Sequence, residues 1–122
     1  MIDERTADAF AAEWIAAWNS HDLPRILSHY ADDFEFSSPI IVEVVGEPSG
    51  TLVGKAAIGA YWTKALARRP DLRFALVAVL RGMRSLVIHY RRHDGRLASE
   101  LVELGTDGKV VRSIAHYGGG DA

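Results

Sequence analysis

No pattern in the chain restricts its fold more than the stretch from Arg84 to Gly118. Three runs of alternating apolar and polar residues are joined there by two Asp-Gly pairs, Asp94-Gly95 and Asp107-Gly108. Asp-Gly between alternating runs is the strongest short-range signal for a β-hairpin, because both central residues of a type I′ turn need positive φ. Two in succession predict a three-stranded antiparallel meander.

Two-residue loops fix a register. They set Val87, His89 and Arg91 opposite Val102, Glu100 and Ala98, and then Glu100, Val102 and Leu104 opposite Ala115, Ser113 and Val111. Side chains alternate with period two, so these residues share one face with Tyr117. The other face carries Leu86, Ile88, Tyr90, Leu101 and Ile114 among others. Both faces are too apolar to stand in water. One is expected under the chain's own helices and the other, centred on those five residues, against a second copy in a homodimer. A slip of one residue would exchange the faces of the slipped strand.

Upstream, Phe10, Trp14 and Trp18 recur at helical spacing, predicting a helix over 6–19 capped by Thr6 or Asp3. Asp22 and Pro24 open a second, with Ile26, Leu27 and Tyr30 as its buried stripe. Phe34, Phe36 and Ser38 alternate as a short strand stopped by Pro39, and the β-branched run from Ile40 to Val45 predicts another. Gly54-Lys55 begins a third helix, through about Arg68, with Tyr61 and Trp62 on its apolar face; Leu72 to Leu80 alternates as a long strand. Helices early and a bent antiparallel sheet late predict an α+β domain whose sheet wraps the helices and leaves a conical cavity, the usual place for a ligand.

The chain has 122 residues, enough for one domain with its own core, spanning 1–122 with 118–122 as a frayed tail. Net charge is −2 with both signs dispersed, which gives no footprint for nucleic acid or an acidic membrane. Cysteine is absent, which removes disulfides, thiol nucleophiles and thiolate-bound metal. The polar start, MIDERTAD, has no signal-peptide core, and no apolar run spans a bilayer, so a cytoplasmic location is expected. His, Asp and Glu show no metal-ligand spacing, and neither metal nor cofactor is expected.

Four segments resemble one superfamily: Trp18-Asn19-Ser20-His21-Asp22, Tyr30-Ala31-Asp32-Asp33, Gly54-Lys55-Ala56-Ala57-Ile58 and Asp107-Gly108-Lys109-Val110-Val111. The chain is similar to the nuclear-transport-factor-2-like superfamily, in its SnoaL-like and ketosteroid-isomerase-like branch. The resemblance implies a cone-shaped, cystatin-like α+β barrel. It leaves activity open, since the superfamily holds isomerases, dehydratases, cyclases, epoxide hydrolases and non-catalytic binders. In ketosteroid isomerases the proton-shuttling carboxylate precedes the Pro after the first strand; here that residue is Ser38. Their oxyanion-holding tyrosine on helix one corresponds to Trp14. Their second oxyanion donor, a protonated carboxylic acid on the penultimate strand, matches Glu100. The resemblance therefore puts Glu100 inside the cone and, through the predicted register, His89, Arg91, Ser113 and Tyr117 with it.

His89 and Glu100, opposed at about 5 Å between Cβ atoms, would be within hydrogen-bonding reach. Such a pair serves as a general base with an orienting carboxylate or as an acid–base couple; it equally serves to satisfy two buried polar groups. The expected pocket is lined by Trp14, Trp18, Tyr30, Phe34, Phe36, Ser38, Tyr61, Trp62, Arg91, Val102, Ser113 and Tyr117. Its expected occupant is a small apolar molecule, which a cofactor-independent isomerase, dehydratase or cyclase transforms by proton transfer, or which a non-catalytic domain only binds.

Overall fold

The computed structural model describes residues 1–119. Ten elements follow in order: α1 (Glu4–Ser20), α2 (Leu23–Leu27), β1 (Tyr30–Ser37), α3 (Pro39–Val45), β2 (Thr51–Val53), α4 (Lys55–Arg68), β3 (Ala75–Arg81), β4 (Ser85–Arg91), β5 (Leu97–Leu104) and β6 (Val110–Tyr117). The strands make one curved, unclosed sheet ordered β2-β1-β6-β5-β4-β3. It is an α+β fold, with the helices gathered against the sheet. Every neighbouring pair is antiparallel except β1 and β6, which run parallel, so the sheet is mixed where an antiparallel one was expected. Among the described residues no helix is long and apolar enough to cross a membrane.

Asp3 caps α1 through its side chain, and Ala7, Ala11, Trp14 and Trp18 form the buried stripe that the spacing predicts. That stripe packs towards β3 and β4. Trp14 stacks on Phe74 with ring centres 5.8 Å apart and meets Tyr90 at 5.3 Å. Trp62 of α4 brings an edge against Trp18 at 4.9 Å and against Phe36 at 5.3 Å. These rings knit α1, α4, β1 and β4 into one core.

The run from Ile40 to Val45 is not a strand. Ser38 is extended, and its Oγ accepts from the Ile40 amide at 3.1 Å. Pro39 occupies the first turn, where its missing N–H costs nothing, and Gly46 closes the helix with φ 73°. Both helix signals flank the segment and outweigh its β-branched composition. The turn of helix buries Ile41 and turns Ile40 and Val44 towards the sheet's hollow.

The first hairpin is displaced by one residue from the predicted register. Arg92 donates its amide to Arg96 O at 2.8 Å, and Gly95 donates to Arg92 O at 2.9 Å with φ 85°. The loop is therefore three residues, a tight turn closed by a left-handed glycine. Asp94 Oδ1 accepts from the Arg96 amide at 3.0 Å, bracing the wider loop. His89 consequently pairs with Ser99, and Ile88 pairs with Glu100.

The second hairpin has the same loop: Gly105 donates to Lys109 O, Gly108 to Gly105 O with φ 80°, and Asp107 Oδ1 accepts from the Lys109 amide. Here β6 carries one extra residue, Val111, between the pairs Leu104–Val110 and Glu103–Arg112. This bulge cancels the displacement, so Glu100 faces Ala115 and Val102 faces Ser113 as predicted. No such correction interrupts β4 and β5.

Turning β4 over changes the outer face. Leu86, Ile88 and Tyr90 are buried inside, so the expected dimer patch keeps only Leu101 and Ile114. The frayed tail expected from Gly118 does not begin there, because the Gly118 amide still donates to Leu97 O at 2.8 Å; residues 120–122 lie outside the described residues.

Candidate active site

The inner row of β5 is Ala98, Glu100 and Val102, all buried. Glu100 has Ile88 on one side and Ala115 on the other, neither of which can solvate a charge. Its partner is diagonal: Ser113 Oγ donates to Glu100 Oε2 at 2.5 Å. Among the described residues the carboxyl makes that single hydrogen bond. Burial pushes the Glu100 carboxyl up to about 8, against a smaller downward pull from Ser113. At neutral pH it holds its proton.

Glu100 forms part of the wall of a cavity of about 310 Å³ between the sheet, α1, α3 and α4. Of the residues expected there, Trp14, Trp18, Phe36, Tyr61, Trp62 and Tyr117 do line it with Glu100. Tyr30, Phe34, Ser38, Val102 and Ser113 are buried but stand behind the lining. His89 and Arg91 are not in the site. His89 lies on the opposite face with Nδ1 2.8 Å from Ser99 Oγ, and Arg91 is exposed and donates to Gly95 O. The His89–Glu100 dyad is thus dissolved by the three-residue loop.

Sequence reasoning missed Tyr90, Phe74 and Leu72 on one wall and Ile40, Glu43 and Val44 on another. It also missed a mouth formed by Arg68, Arg69, Arg92 and His93. The flanking Ser38-Pro39 and Gly46 were the signal for the helix that carries Ile40 and Val44. Tyr90 was placed on the wrong face by the register alone.

Four phenols surround the acid. Burial first, and the Glu100 charge second, raise the hydroxyls of Tyr30 and Tyr90 well above the ordinary phenol range and push Tyr117 up to about 12. Tyr61 is raised by burial and then by Tyr117. All four stay neutral hydrogen-bonding groups and cannot serve as bases at physiological pH. Trp14 Nε1 donates to Tyr30 OH at 3.0 Å, so the group in the position of the expected oxyanion donor is spent on the protein itself. The Trp18 Nε1–H stands close enough to the same hydroxyl to favour its anion, yet has no partner in hydrogen-bond geometry. Ser38 is occupied twice, as the cap of α3 and at 3.4 Å from Tyr117 OH.

A neutral carboxylic acid in an apolar hollow is a hydrogen-bond donor rather than a base. Aimed at a carbonyl oxygen, it binds most strongly when that oxygen becomes negative, which is when a carbon-bound proton is leaving. Among the described residues no group of three or more His, Asp or Glu is placed to hold a metal ion.

Residues 11–117 match the SnoaL-like domain. The chain is 55% identical to a SnoaL-like protein of unknown function from Burkholderia thailandensis, whose crystal structure superposes with a TM-score of 0.92 over 97% of this chain and 98% of that one. A candidate isomerase of the SnoaL-like family from Agrobacterium tumefaciens superposes with a TM-score of 0.75 at 20% identity, over 94% and 99% of the two chains. A Methylobium petroleophilum protein of unknown function with a cystatin-like fold gives 0.73 at 14% identity, over 99% and 81%. These last two speak to the fold alone. No curated protein is significantly similar to the chain.

Proposed function

The chain belongs to the SnoaL-like domain family, and we propose that it is a cofactor-independent enzyme that moves a proton on a small, largely apolar carbonyl compound. The observation that carries this reading is Glu100: a carboxyl held neutral on the wall of an aromatic cavity, with Ser113 as its only hydrogen-bonding partner among the described residues. The acid donates to the substrate's carbonyl oxygen and stabilises the enolate formed as the neighbouring carbon loses its proton. Two other lining residues, His93 and Glu43 at the mouth, are of the types that accept such a proton. Isomerisation, dehydration and cyclisation of a carbonyl compound can each begin with this step, and then differ in where the proton or leaving group goes next.

Exchange of carbonyl-adjacent protons tests this with model ketones in place of the natural substrate. A panel of cyclic ketones is incubated with the protein in deuterated water, and deuterium uptake is followed by NMR. At least one ketone that binds should exchange faster with the native chain, and Glu100→Ala should slow that exchange by about a hundredfold. The native rate should decline as pH rises through about 8, where the acid ionises. Equal exchange with native and Glu100→Ala protein for every bound ketone would remove Glu100 from the chemistry.

One observation favours a second reading, a binder without catalysis. The residue before Pro39, where the resemblance places a proton-shuttling carboxylate, is a serine whose hydroxyl caps a helix. In that case bound ketones would be recovered undeuterated.

A further inference from the structure

The mouth of the cavity differs in charge from the chain as a whole. The protein's net charge is −2, yet the mouth carries Arg68, Arg69 and Arg92 with His93, against Glu43 as its one carboxylate among the described residues. The interior beyond it is aromatic and holds a neutral acid. The two ends of the cavity therefore ask for different things from one ligand.

The three guanidinium groups are only lightly engaged by the protein. Among the described residues Arg68 and Arg69 have no ion-pair partner. They sit at the carboxyl end of α4, where the helix carbonyls favour cations. Arg92 touches Asp94 only at 3.9 Å, a loose contact, and its guanidinium lies 4.9 Å from the centre of the Tyr117 ring. Its side chain is mostly buried, and it lines the cavity beside Tyr90 and Tyr117. Beside it the Nδ1 of His93 is buried and makes no hydrogen bond. A planar, largely desolvated guanidinium on the lining of a cavity suits a carboxylate, which can take two parallel N–H bonds from one arginine. A neutral hydrocarbon would leave these groups unanswered.

We infer that the ligand of this cavity is an anion: an apolar ring system whose single carboxylate is held at the mouth by Arg92, with Arg68 and Arg69 adding attraction, while the rings reach in between the tryptophans. This rests on the pocket reading given above and deepens it. The carboxylate fixes which end of the molecule enters, and so which carbonyl meets Glu100.

Naphthoate and naphthamide make a matched pair of probes, alike in rings and shape and different in charge. Their affinities are to be measured by calorimetric titration of the whole chain at low salt and neutral pH. Naphthoate should bind the native protein about tenfold more tightly, and the preference should shrink at high salt. Arg92→Gln should abolish most of this preference, measured as the ratio of the two affinities in the same variant. If naphthamide binds and naphthoate binds no better, the anion site is wrong and the apolar pocket stands. The anion site is equally wrong if the preference survives Arg92→Gln, whatever the pair Arg68→Gln with Arg69→Gln does. If neither probe binds, the pocket reading fails and this inference fails with it.

Discussion

Replacing Glu100 by Gln should remove a loss of stability that grows as pH rises. The carboxyl takes up its proton at about 8 in the folded chain and at about 4.5 when unfolded. Between those values the folded state binds more protons than the unfolded state, so folding is progressively weakened as pH rises. Below about 4.5 both states hold the proton and the folded acid costs nothing extra. Above about 8 both have lost it and the full penalty of a buried carboxylate applies. At most ~1.4 kcal/mol is lost for each pH unit, which sets a ceiling of about 5 kcal/mol across the window. Water entering the cavity beside the carboxylate reduces that, and we expect about 2–4 kcal/mol. Glutamine keeps an oxygen to accept from Ser113 and cannot ionise. Urea denaturation followed by far-ultraviolet circular dichroism at pH 5, 6, 7 and 8 gives the two curves. Their difference cancels every other titrating group. The native curve should fall relative to Glu100→Gln throughout this range. Parallel curves would mean that the carboxyl is hydrated and ionised in the folded chain, and no neutral acid would face the cavity.

Two smaller changes probe the elements that shape the cavity. Ser38→Ala removes the cap of α3 and the contact with Tyr117, and should cost about 1 kcal/mol in urea titration; no loss would mean that the helix is held by packing alone. Gly95→Ala meets no atom within 4 Å, so its cost of about 1–2 kcal/mol comes purely from forcing a side chain onto φ 85°. Gly95→Asn should cost less, and equal losses for Ala and Asn would contradict the left-handed loop.

The outline of the fold was legible because its signals are local and mutually consistent. Trp14 and Trp18 at helical spacing, Pro24 after Asp22, and Asp-Gly between alternating runs each identify the type of element. The site was legible only in part, because its geometry depends on a count of loop residues that Asp-Gly does not fix. Two- and three-residue loops both accept that pair, and they place β4 on opposite faces. The strand itself held the answer: Leu86, Ile88 and Tyr90 are a better core row than Val87, His89 and Arg91. Weighing that row above the turn would have placed Tyr90 correctly and separated His89 from Glu100. Placing α3 required a similar choice between flanking caps and composition. The parallel pairing of β1 with β6, by contrast, joins segments far apart in sequence and leaves no local trace.

The chain has three tryptophans, and all of them line the same cavity: Trp14, Trp18 and Trp62. Its near-ultraviolet emission therefore originates almost wholly at one place. A molecule entering between these indoles alters the whole signal rather than a fraction of it, and the protein reports its own occupancy without any attached dye.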